Sequence, residues 1–317
     1  MNIIVLDLEW NQNSIGKKER SSDKPIFEII EIGAVKLNED FQLEDKFSSL
    51  IKPQIYHTMH KVTADLIHLE MEELEEAEPF VDVMHKFLSW CGKDYIFATW
   101  GPLDLLELQR NMKYYQMDPL SDFPLKYYDV QKLFSISVLK DKTRKTLEFA
   151  IDYYGIQKTI PFHRAFSDAY YTSEVLKQMG NNEILKFYSI DTYILPKNKK
   201  EEIKIKFPGY QKHISRAFLL KSEIMEDREI SSTKCYICCK NLKKKVKWFT
   251  PNSKHYYSIS KCDIHGYIKY KVRIRKNDDE QYYAVKTSKF ITKEKMLKLT
   301  EEWKNEKELK KSKKSII

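Results

Sequence analysis

The segment that most constrains the fold is the N-terminal one, which reads MNIIVLDLEW. An apolar run of this kind is typical of a buried strand, and here two acidic residues interrupt it at alternating positions. Side chains two positions apart on a strand leave the same face of the sheet. The sequence therefore predicts a strand over Ile3–Trp10 that carries Asp7 and Glu9 side by side at the end of a buried element.

The rest of residues 1–180 alternates strand patterns with helix patterns. Three strands in sequence, followed by strand–helix pairs, predict an α/β fold with a mixed five-stranded sheet and flanking helices. Beyond the first strand, the predicted strands are Ile29–Leu37, Phe47–Ile51, Tyr95–Thr99 and Tyr127–Leu133, and the predicted helices are Glu78–Cys91, Leu103–Tyr115, Thr146–Tyr154 and about 166–179.

The C-terminal part of the chain predicts a smaller, β-rich module. We expect three regions: an α/β domain over 1–185, a connecting segment over 186–232 that contains the polar stretch PKNKKEEIKIK, and a basic module with a closing helix over 233–317. In that module the predicted strands are Val246–Phe249, Tyr256–Lys261, Tyr267–Arg275 and Gln281–Thr287, and the predicted helix is Thr292–Lys311.

Charge is divided unevenly along the chain. The formal net charge of +9 is the balance of −8 over residues 1–180 and +17 over residues 181–317. An acidic half suits divalent cations, and a basic half suits a polyanion such as nucleic acid, although a solvated Lys-rich surface would give the same balance. No apolar stretch is long enough for a membrane span or has the flanks of a signal peptide. We therefore expect a cytoplasmic protein without a membrane partner, in which the five cysteines are reduced.

Two later segments add charged and titratable side chains to the N-terminal pair. Asp104 falls in the first turn of a predicted helix, within ATWGPLDLLELQRN, and His163 precedes Asp168 in HRAFSDA. Each has an ordinary alternative, since an acidic residue in a first turn stabilises the helix dipole and surface histidines are common. The D-x-E pair alone would equally suit a half-exposed strand with polar alternation.

Taken in order, D-x-E, W-x3-D and H-x-A-x2-D-A resemble the three motifs of the DEDDh exonucleases, in the DnaQ-like superfamily with a ribonuclease-H-like fold. The resemblance covers about residues 1–180, includes the EIIEIGAV segment, and is nearest to the branch of the histone-mRNA 3′ exonucleases and KapD-like proteins. It implies a 3′→5′ exonuclease that releases nucleoside 5′-monophosphates. The metal carboxylates it implies are Asp7, Glu9, Asp104 and Asp168, and the general base it implies is His163.

The residue types suit that chemistry. Hydrolysis of a phosphodiester by two Mg²⁺ or Mn²⁺ ions, roughly 4 Å apart, needs hard oxygen ligands such as carboxylates. In this interpretation Asp7 bridges the ions, Glu9 and Asp168 complete the sphere of the ion that binds water, and Asp104 acts through water. Histidines exchange protons near neutral pH, which suits a general base at His163. The flanking residues that could touch the terminal nucleotide or could equally be core are Trp10, Asn11, Trp100 and Leu103.

The cysteines of the C-terminal module form two knuckles. C-Y-I-C-C at 235–239 and C-D-I-H at 262–265 have the spacing of a structural Zn²⁺ site of the zinc-ribbon kind. The predicted ligands are Cys235, Cys238, Cys262 and His265, and Cys239 could replace Cys238 after a small register change. Unliganded buried cysteines are the alternative.

The same module contains a basic strand, YIKYKVRIR, in which Lys269, Lys271, Arg273 and Arg275 share one face. Basic side chains with aromatic neighbours suit single-stranded nucleic acid with a free 3′ end, and a solubilising face is the alternative. The likeness to histone-mRNA exonucleases favours RNA over DNA. A second hypothesis is that the zinc module binds nucleic acid or a protein and that the exonuclease fold serves as its scaffold.

Overall fold

The computed structural model divides the chain into two compact units, Met1–Ile194 and Leu195–Ile317, and each unit is built around a sheet of its own. Among the helices it describes, none is long and apolar enough to cross a membrane. The described residues are 1–12, 24–140, 143–180, 182–251 and 254–314.

Seven strands form the sheet of the first unit, and two of them are only two residues long. They are β1 (Asn2–Gln12), β2 (Phe27–Leu37), β3 (Leu43–Lys52), β4 (Glu78–Pro79), β5 (Tyr95–Thr99), β6 (Lys126–Asp129) and β7 (Ser189–Ile190).

The order across this sheet is β4-β3-β2-β1-β5-β6-β7. β1 pairs antiparallel with β2 and parallel with β5, so the sheet is mixed, as the sequence predicts. The five predicted strands occupy its centre, and the two-residue strands β4 and β7 extend it to seven at the edges. The predicted α/β fold is confirmed, and the predicted strand count is too low by these two edge strands.

The predicted strand Tyr127–Leu133 is wrong in its second half. β6 ends at Asp129 and a helix begins at the next residue. The Asp129 carboxylate accepts a hydrogen bond from the backbone N–H of Lys132 at 2.9 Å, which is the usual cap of a helix N-terminus. The capping carboxylate thus overrides an apolar pattern that suits either a strand or a helix.

Helices cover both faces of the first sheet. Successive side chains of β1 point to opposite faces, so they pack against different helices. Ile3 and Val5 pack against the helices at 130–137, 147–154 and 165–179. Ile4 and Leu6 lie on the opposite face and pack against the helices at 80–91 and 103–114. Asp7 continues the face of Ile3 and Val5. The helices are α1 (Lys61–Ile67), α2 (Met71–Glu75), α3 (Phe80–Cys91), α4 (Leu103–Tyr114), α5 (Val130–Ser137), α6 (Leu147–Tyr154), α7 (Ala165–Met179) and α8 (Asn182–Leu185).

Gly33 lets α7 approach β2 closely. A Cβ atom at this position would lie 2.0 Å from the backbone nitrogen of Phe166, so no other residue fits without moving the helix. Gly33 is also the β2 partner of Asp7 in the antiparallel register. The close contact therefore brings the first turn of α7 next to Asp7 of β1.

The second unit contains a six-stranded sheet in the order β10-β11-β12-β13-β9-β8. Two of its strands lie within 186–232, the segment predicted as a connection, and they form a hairpin that pairs with β13. The elements are β8 (Ile203–Phe207), β9 (Tyr210–Ile214), α9 (Lys221–Glu226), α10 (Arg228–Ser231), β10 (Lys244–Phe249), β11 (His255–Cys262), β12 (Gly266–Lys276), β13 (Tyr282–Ile291) and α11 (Lys293–Lys314).

Each face of the second sheet has an apolar cluster of its own. On one face Val272 packs with Ile224 of α9 and Ile230 of α10, and a neighbouring cluster joins Ile268 to the cysteines. On the other face, Ile259 packs with side chains of α11. Apolar clusters therefore lie on one side of the sheet around β12 and on the other side around Ile259 of β11.

Candidate active site and metal centre

Three of the predicted carboxylates meet beside the second half of β1. One oxygen of each of Asp7, Glu9 and Asp168 lies within 4.8 Å of the others. β1 supplies the first two because they alternate on the face that meets α7, and α7 supplies the third from its first turn. The oxygen Oδ1 of Asp168 is buried and has no hydrogen-bond partner among the described residues.

Asp104 lies beside this group but does not belong to it. It occupies the first turn of α4, and its side chain is 6% exposed. Its carboxylate accepts hydrogen bonds from its own backbone N–H and from that of Leu8 in β1. After burial, the charge of Asp104 is the largest influence that raises the pKa of Asp7. Asp104 therefore acts on the site through its negative charge, which raises the pKa of Asp7.

Burial and mutual repulsion hold protons on this cluster. Burial comes first in each case and raises the pKa of Glu9 to about 8, of Asp104 to about 7 and of Asp168 to about 6. The pKa of Asp7 is raised well above its usual range by burial, then by Asp104 and Glu9. Carboxylates that crowd in this way ionise readily only when a cation lies between them.

The group has the chemistry of a divalent-cation site. Hard ions such as Mg²⁺ and Mn²⁺ prefer carboxylate oxygens, and the three oxygens of the group are close enough to share ions. The unpartnered Oδ1 of Asp168 is an acceptor that a cation would satisfy. Asp7, Glu9 and Asp168 are therefore the residues that could hold such ions.

His163 precedes α7 and is held in an unusual backbone conformation. Its φ of +61° is in the left-handed region, and its side chain is exposed. Its backbone N–H donates to the carboxylate of Asp168, and its imidazole charge lowers the pKa of that carboxyl against the larger effect of burial. The loop thus places an accessible imidazole next to the carboxylate group.

The flanking residues divide between core and surface. Trp10 packs on Phe27, with ring centroids 5.4 Å apart, and Asn11 is fully buried. The Asn11 amide donates to the carbonyl of Thr58 at 3.0 Å, so it serves the fold. Leu103 is 54% exposed and remains available to a ligand.

Cys235, Cys238, Cys262 and His265 converge in the second unit, and their ligand atoms all lie within 4.8 Å of one another. The sulfurs of Cys238 and Cys262 are 3.8 Å apart, and the Nδ1 atom of His265 is 3.5 Å from two of the sulfurs. A tetrahedral zinc with bonds of about 2.3 Å to sulfur and about 2.05 Å to nitrogen requires nearly these separations. The four residues fit a closed zinc site.

Cys239 is turned away from this group. It is exposed, and its φ of +60° reverses the chain directly after Cys238. Its backbone N–H donates to the carbonyl of Cys235 at 2.8 Å, which closes the knuckle. Of the two cysteines left open by the sequence, Cys238 is the one that this turn directs to the other ligands.

Comparison with known proteins shows to which family the chain belongs. The model of the exonuclease family, RNase_T, matches residues 4–176, which is more than half of the chain. The chain belongs to this exonuclease family. The prediction of an exonuclease, an enzyme that acts on nucleic acid, is confirmed.

Several solved structures are similar to the exonuclease, whereas no curated protein matches it. The nuclease domain of 3′hExo, a DEDDh family member bound to rAMP, is 18% identical, with a TM-score of 0.49 over 56% of this chain and 90% of that one. Cell-death related nuclease 4 (CRN-4) is 19% identical, with a TM-score of 0.47 over 60% and 66%. E. coli exonuclease I in complex with a dT13 oligonucleotide is 12% identical, with a TM-score of 0.46 over 63% and 45%.

Sequence reasoning missed an ion pair that supports the carboxylates of the exonuclease. Glu31 of β2 is buried, lies opposite Glu9 in the strand register, and pairs with Arg164, directly after His163. Burial raises the pKa of Glu9, the charges of Asp168 and Glu31 raise it further, and the charge of Arg164 lowers it against these larger effects. A signal was present, because Glu31 in EIIEIGAV stands between apolar residues in the middle of a predicted strand.

Proposed function

We propose that this exonuclease is metal-dependent, degrades single-stranded nucleic acid from a free 3′ end, and releases nucleoside 5′-monophosphates. The observation that carries the proposal is the group of Asp7, Glu9 and Asp168, with the buried, unpartnered Oδ1 of Asp168. Three crowded carboxylates are costly to ionise unless cations lie between them. The divalent cations that such a group favours are the ions that metal-dependent hydrolysis of a phosphodiester needs.

Asp7, Glu9 and Asp168 would hold two Mg²⁺ or Mn²⁺ ions. When bound, the ions would supply charge neutralisation at the phosphate and a lowered pKa for the attacking water. Asp104 adds negative charge next to Asp7 and is itself held by the backbone N–H of Leu8. It therefore favours divalent over monovalent cations in the group.

His163 acts as the general base in this proposal. Its imidazole is accessible, and its backbone N–H is fixed on the carboxylate of Asp168. A base so held can take a proton from a water that lies beside the carboxylates and return it to solvent. The strained φ of +61° is consistent with a conformation retained for function.

The experiment incubates purified protein with 5′-labelled single-stranded RNA and DNA, with and without Mn²⁺. A ladder that shortens from the 3′ end only with the ion supports the proposal, and we expect faster shortening of RNA on the basis of the likeness to histone-mRNA exonucleases. No cleavage of either strand, with retained binding, would instead favour the hypothesis that the exonuclease fold is a scaffold for the second unit.

For the second unit we propose one structural Zn²⁺, held by Cys235, Cys238, Cys262 and His265. The support is the agreement of the 3.8 and 3.5 Å separations with tetrahedral geometry. Four protein ligands leave no open position, so the ion would stabilise the fold of this unit and take no part in hydrolysis.

A further inference from the structure

His163 lies in the loop 156–164, which connects α6 to α7. At the start of this loop, Gly155 takes a left-handed conformation with a φ of +64°, and the backbone N–H of Ile156 donates back into the last turn of α6 at 3.0 Å. Near its other end, the backbone N–H of His163 donates to the carboxylate of Asp168. Hydrogen bonds therefore fix the loop at its start and next to α7.

The hydroxyl of Tyr171 holds the middle of the loop. This hydroxyl donates to the carbonyl of Ile160 at 2.8 Å and accepts from the backbone N–H of the same residue at 3.0 Å. One side-chain atom thus pairs both backbone groups of Ile160, as a neighbouring strand would. A phenylalanine in place of Tyr171 would leave both groups without this partner.

Ring stacking adds to the hydrogen bonds. The ring of Phe162 stacks on the ring of Tyr171, with centroids 4.7 Å apart and an angle of 22° between the planes. Phe162 directly precedes His163, and their ring centroids are 6.4 Å apart. Stacked aromatic pairs stabilise a structure beyond the area that they bury. Tyr171 therefore holds the chain at Ile160 and at Phe162, close to the imidazole.

Tyr171 is itself fixed in place. It is fully buried and belongs to an apolar cluster with Ile151 of α6 and Val175 of α7. It follows Asp168 by three residues on α7, so the two side chains lie on the same face of the helix, one turn apart. The same face of α7 thus carries a carboxylate of the candidate metal group and the anchor of the loop that carries His163.

The backbone of His163 requires such an anchor. Its φ of +61° lies in the left-handed region, which residues other than glycine rarely adopt. A strained backbone conformation persists only where the surrounding structure fixes it. Asp168 holds the backbone of His163 directly, and Tyr171 holds the preceding residues. Without Tyr171 we expect the loop to relax and to carry the imidazole away from the carboxylates.

We propose that Tyr171 is a positioning residue of the exonuclease, which holds the loop 156–164 so that the imidazole of His163 stays beside the carboxylates. The inference rests on the proposed role of His163 as general base. Because Tyr171 is buried, it acts through His163 and does not touch the substrate. Its loss should therefore slow the chemical step and leave the affinity for substrate unchanged.

The test is Tyr171→Phe, which keeps the ring and removes the hydroxyl. A displacement of about 1 Å can cost about 100-fold in rate, so we expect kcat on a labelled single-stranded oligonucleotide with Mn²⁺ to fall by about 10- to 100-fold, with KM unchanged. The matched control is Tyr270→Phe in the second unit. Tyr270 is also fully buried, and its hydroxyl donates to the carbonyl of Lys234 at 2.8 Å. The control should lower the melting temperature and keep the wild-type kcat.

Combining Tyr171→Phe with His163→Ala separates positioning from a general loss of structure. If Tyr171 acts through His163, its hydroxyl has nothing left to position in the double variant, which should be as slow as His163→Ala alone. The proposal is overturned if Tyr171→Phe slows the His163→Ala protein by the same factor as it slows the wild type. It is also overturned if Tyr171→Phe and the wild type have equal kcat values.

Phe162→Leu serves as a second variant if Tyr171→Phe does not fold, because it removes the stacked ring from the loop and leaves α7 intact. It should lower kcat when His163 is present and have no effect when His163 is replaced by Ala. Equal losses in both backgrounds would overturn the proposal.

Hydrogen exchange at the backbone N–H of Ile160 provides a readout that needs no catalysis. Exchange should be faster in Tyr171→Phe than in the wild type, and unchanged exchange would overturn the proposal. A wild-type protein that hydrolyses no substrate would remove the proposed function, and the exchange measurement would still decide whether Tyr171 holds the loop. An active wild type matched in kcat by Tyr171→Phe would remove this inference alone.

Discussion

The guanidinium of Arg164 donates two hydrogen bonds to the carboxylate of Glu31, from Nε at 2.9 Å and from Nη2 at 3.0 Å. Glu31 is buried at the centre of β2 and lies directly opposite Glu9. The pair therefore joins the residue that follows His163 to the strand next to the carboxylates. It fixes the start of α7 and places a positive charge close to a group of acids.

Replacing Arg164 with Gln should weaken both the fold and the response to metal. Leaving the buried carboxylate of Glu31 without its hydrogen-bond donors costs about 1–3 kcal/mol of stability. Glu9 also loses the positive charge of Arg164, which lowers the pKa of Glu9. We expect a lower melting temperature and a higher Mn²⁺ concentration for half-maximal activity. Arg144→Gln is the matched control, because Arg144 makes a similar two-bonded pair with buried Asp129 at the start of α5. An equal shift in the Mn²⁺ requirement of both variants would contradict a positioning role for Arg164.

Asp7→Asn should abolish hydrolysis and stabilise the metal-free protein. The substitution removes the acid whose pKa is raised by burial, Asp104 and Glu9, so the repulsion within the group falls. Thermal melting at pH 8 without divalent ions should rise, and the release of mononucleotides should be lost. Asp82→Asn, on an exposed position of α3, is the control. A rate within about tenfold of wild type, which is a barrier change of about 1.4 kcal/mol, would argue against the metal role of Asp7.

His163→Ala should slow the chemical step by about 10²–10⁴-fold, the usual effect of losing a general base. Binding of Mn²⁺ should persist, because the three carboxylates remain in place. The dependence of rate on pH should lose the acid limb that a protonated base imposes. The exposed His85 of α3, replaced by Ala, provides the control. If the limb survives unchanged in His163→Ala, another group accepts the proton.

The stability of the metal-free protein should fall as the pH rises. Glu9, Asp104 and Asp168 have pKa values of about 8, 7 and 6, above the ordinary values of unfolded carboxyls. The folded chain therefore binds protons more tightly than the unfolded one, and this stability is complete below the ordinary carboxyl range and lost through about pH 8. Melting temperatures at pH 5 and 8, with and without Mn²⁺, should show a stabilisation by the ion that grows with pH. A metal-free melting temperature that rises from pH 6 to 8 would oppose this account.

Cys262→Ser should release zinc and loosen the second unit, whereas Cys239→Ser should do neither. Only the first of these cysteines belongs to the four-ligand group, and the second is exposed. Metal analysis should find about one zinc per wild-type chain, and proteolysis of Cys262→Ser should cut within 233–290. Melting of the first unit should be unaffected, since its sheet is held by apolar clusters built from its own strands and helices. Zinc-free wild-type protein that resists proteolysis would remove the metal from the proposal.

Much of the first unit could be predicted because its strands follow from the pattern of apolar and polar residues within each short segment. The alternation in MNIIVLDLEW defines β1 and the shared face of Asp7 and Glu9, and the strands around it follow the same period of two. The strand over Tyr127–Leu133 could not be bounded correctly, because the cap at Asp129 depends on a side chain as well as on apolar periodicity. The edge strands β4 and β7 are too short to show the alternation of apolar and polar residues that predicts a strand.

The parts that were missed depend on contacts between distant segments. Glu31 pairs with Arg164 only because α7 packs on β2, and nothing in either local sequence specifies the partner. The hairpin β8–β9 begins inside the polar stretch PKNKKEEIKIK, which predicts a connection, although Ile203, Ile205 and Phe207 alternate within β8. Its place in the sheet is decided by pairing with β13, far along the chain.

The contact of Gly33 with the start of α7 also determines when this protein can become active during its own synthesis. Asp7 leaves the ribosome well before Asp168, because the helix that carries Asp168 comes late in the first unit. Until α7 has emerged and docked against Gly33, the chain cannot bring Asp168 to Asp7 and Glu9. A nascent or truncated chain that ends before α7 should therefore be unable to cleave nucleic acid, including the messenger from which it is being translated.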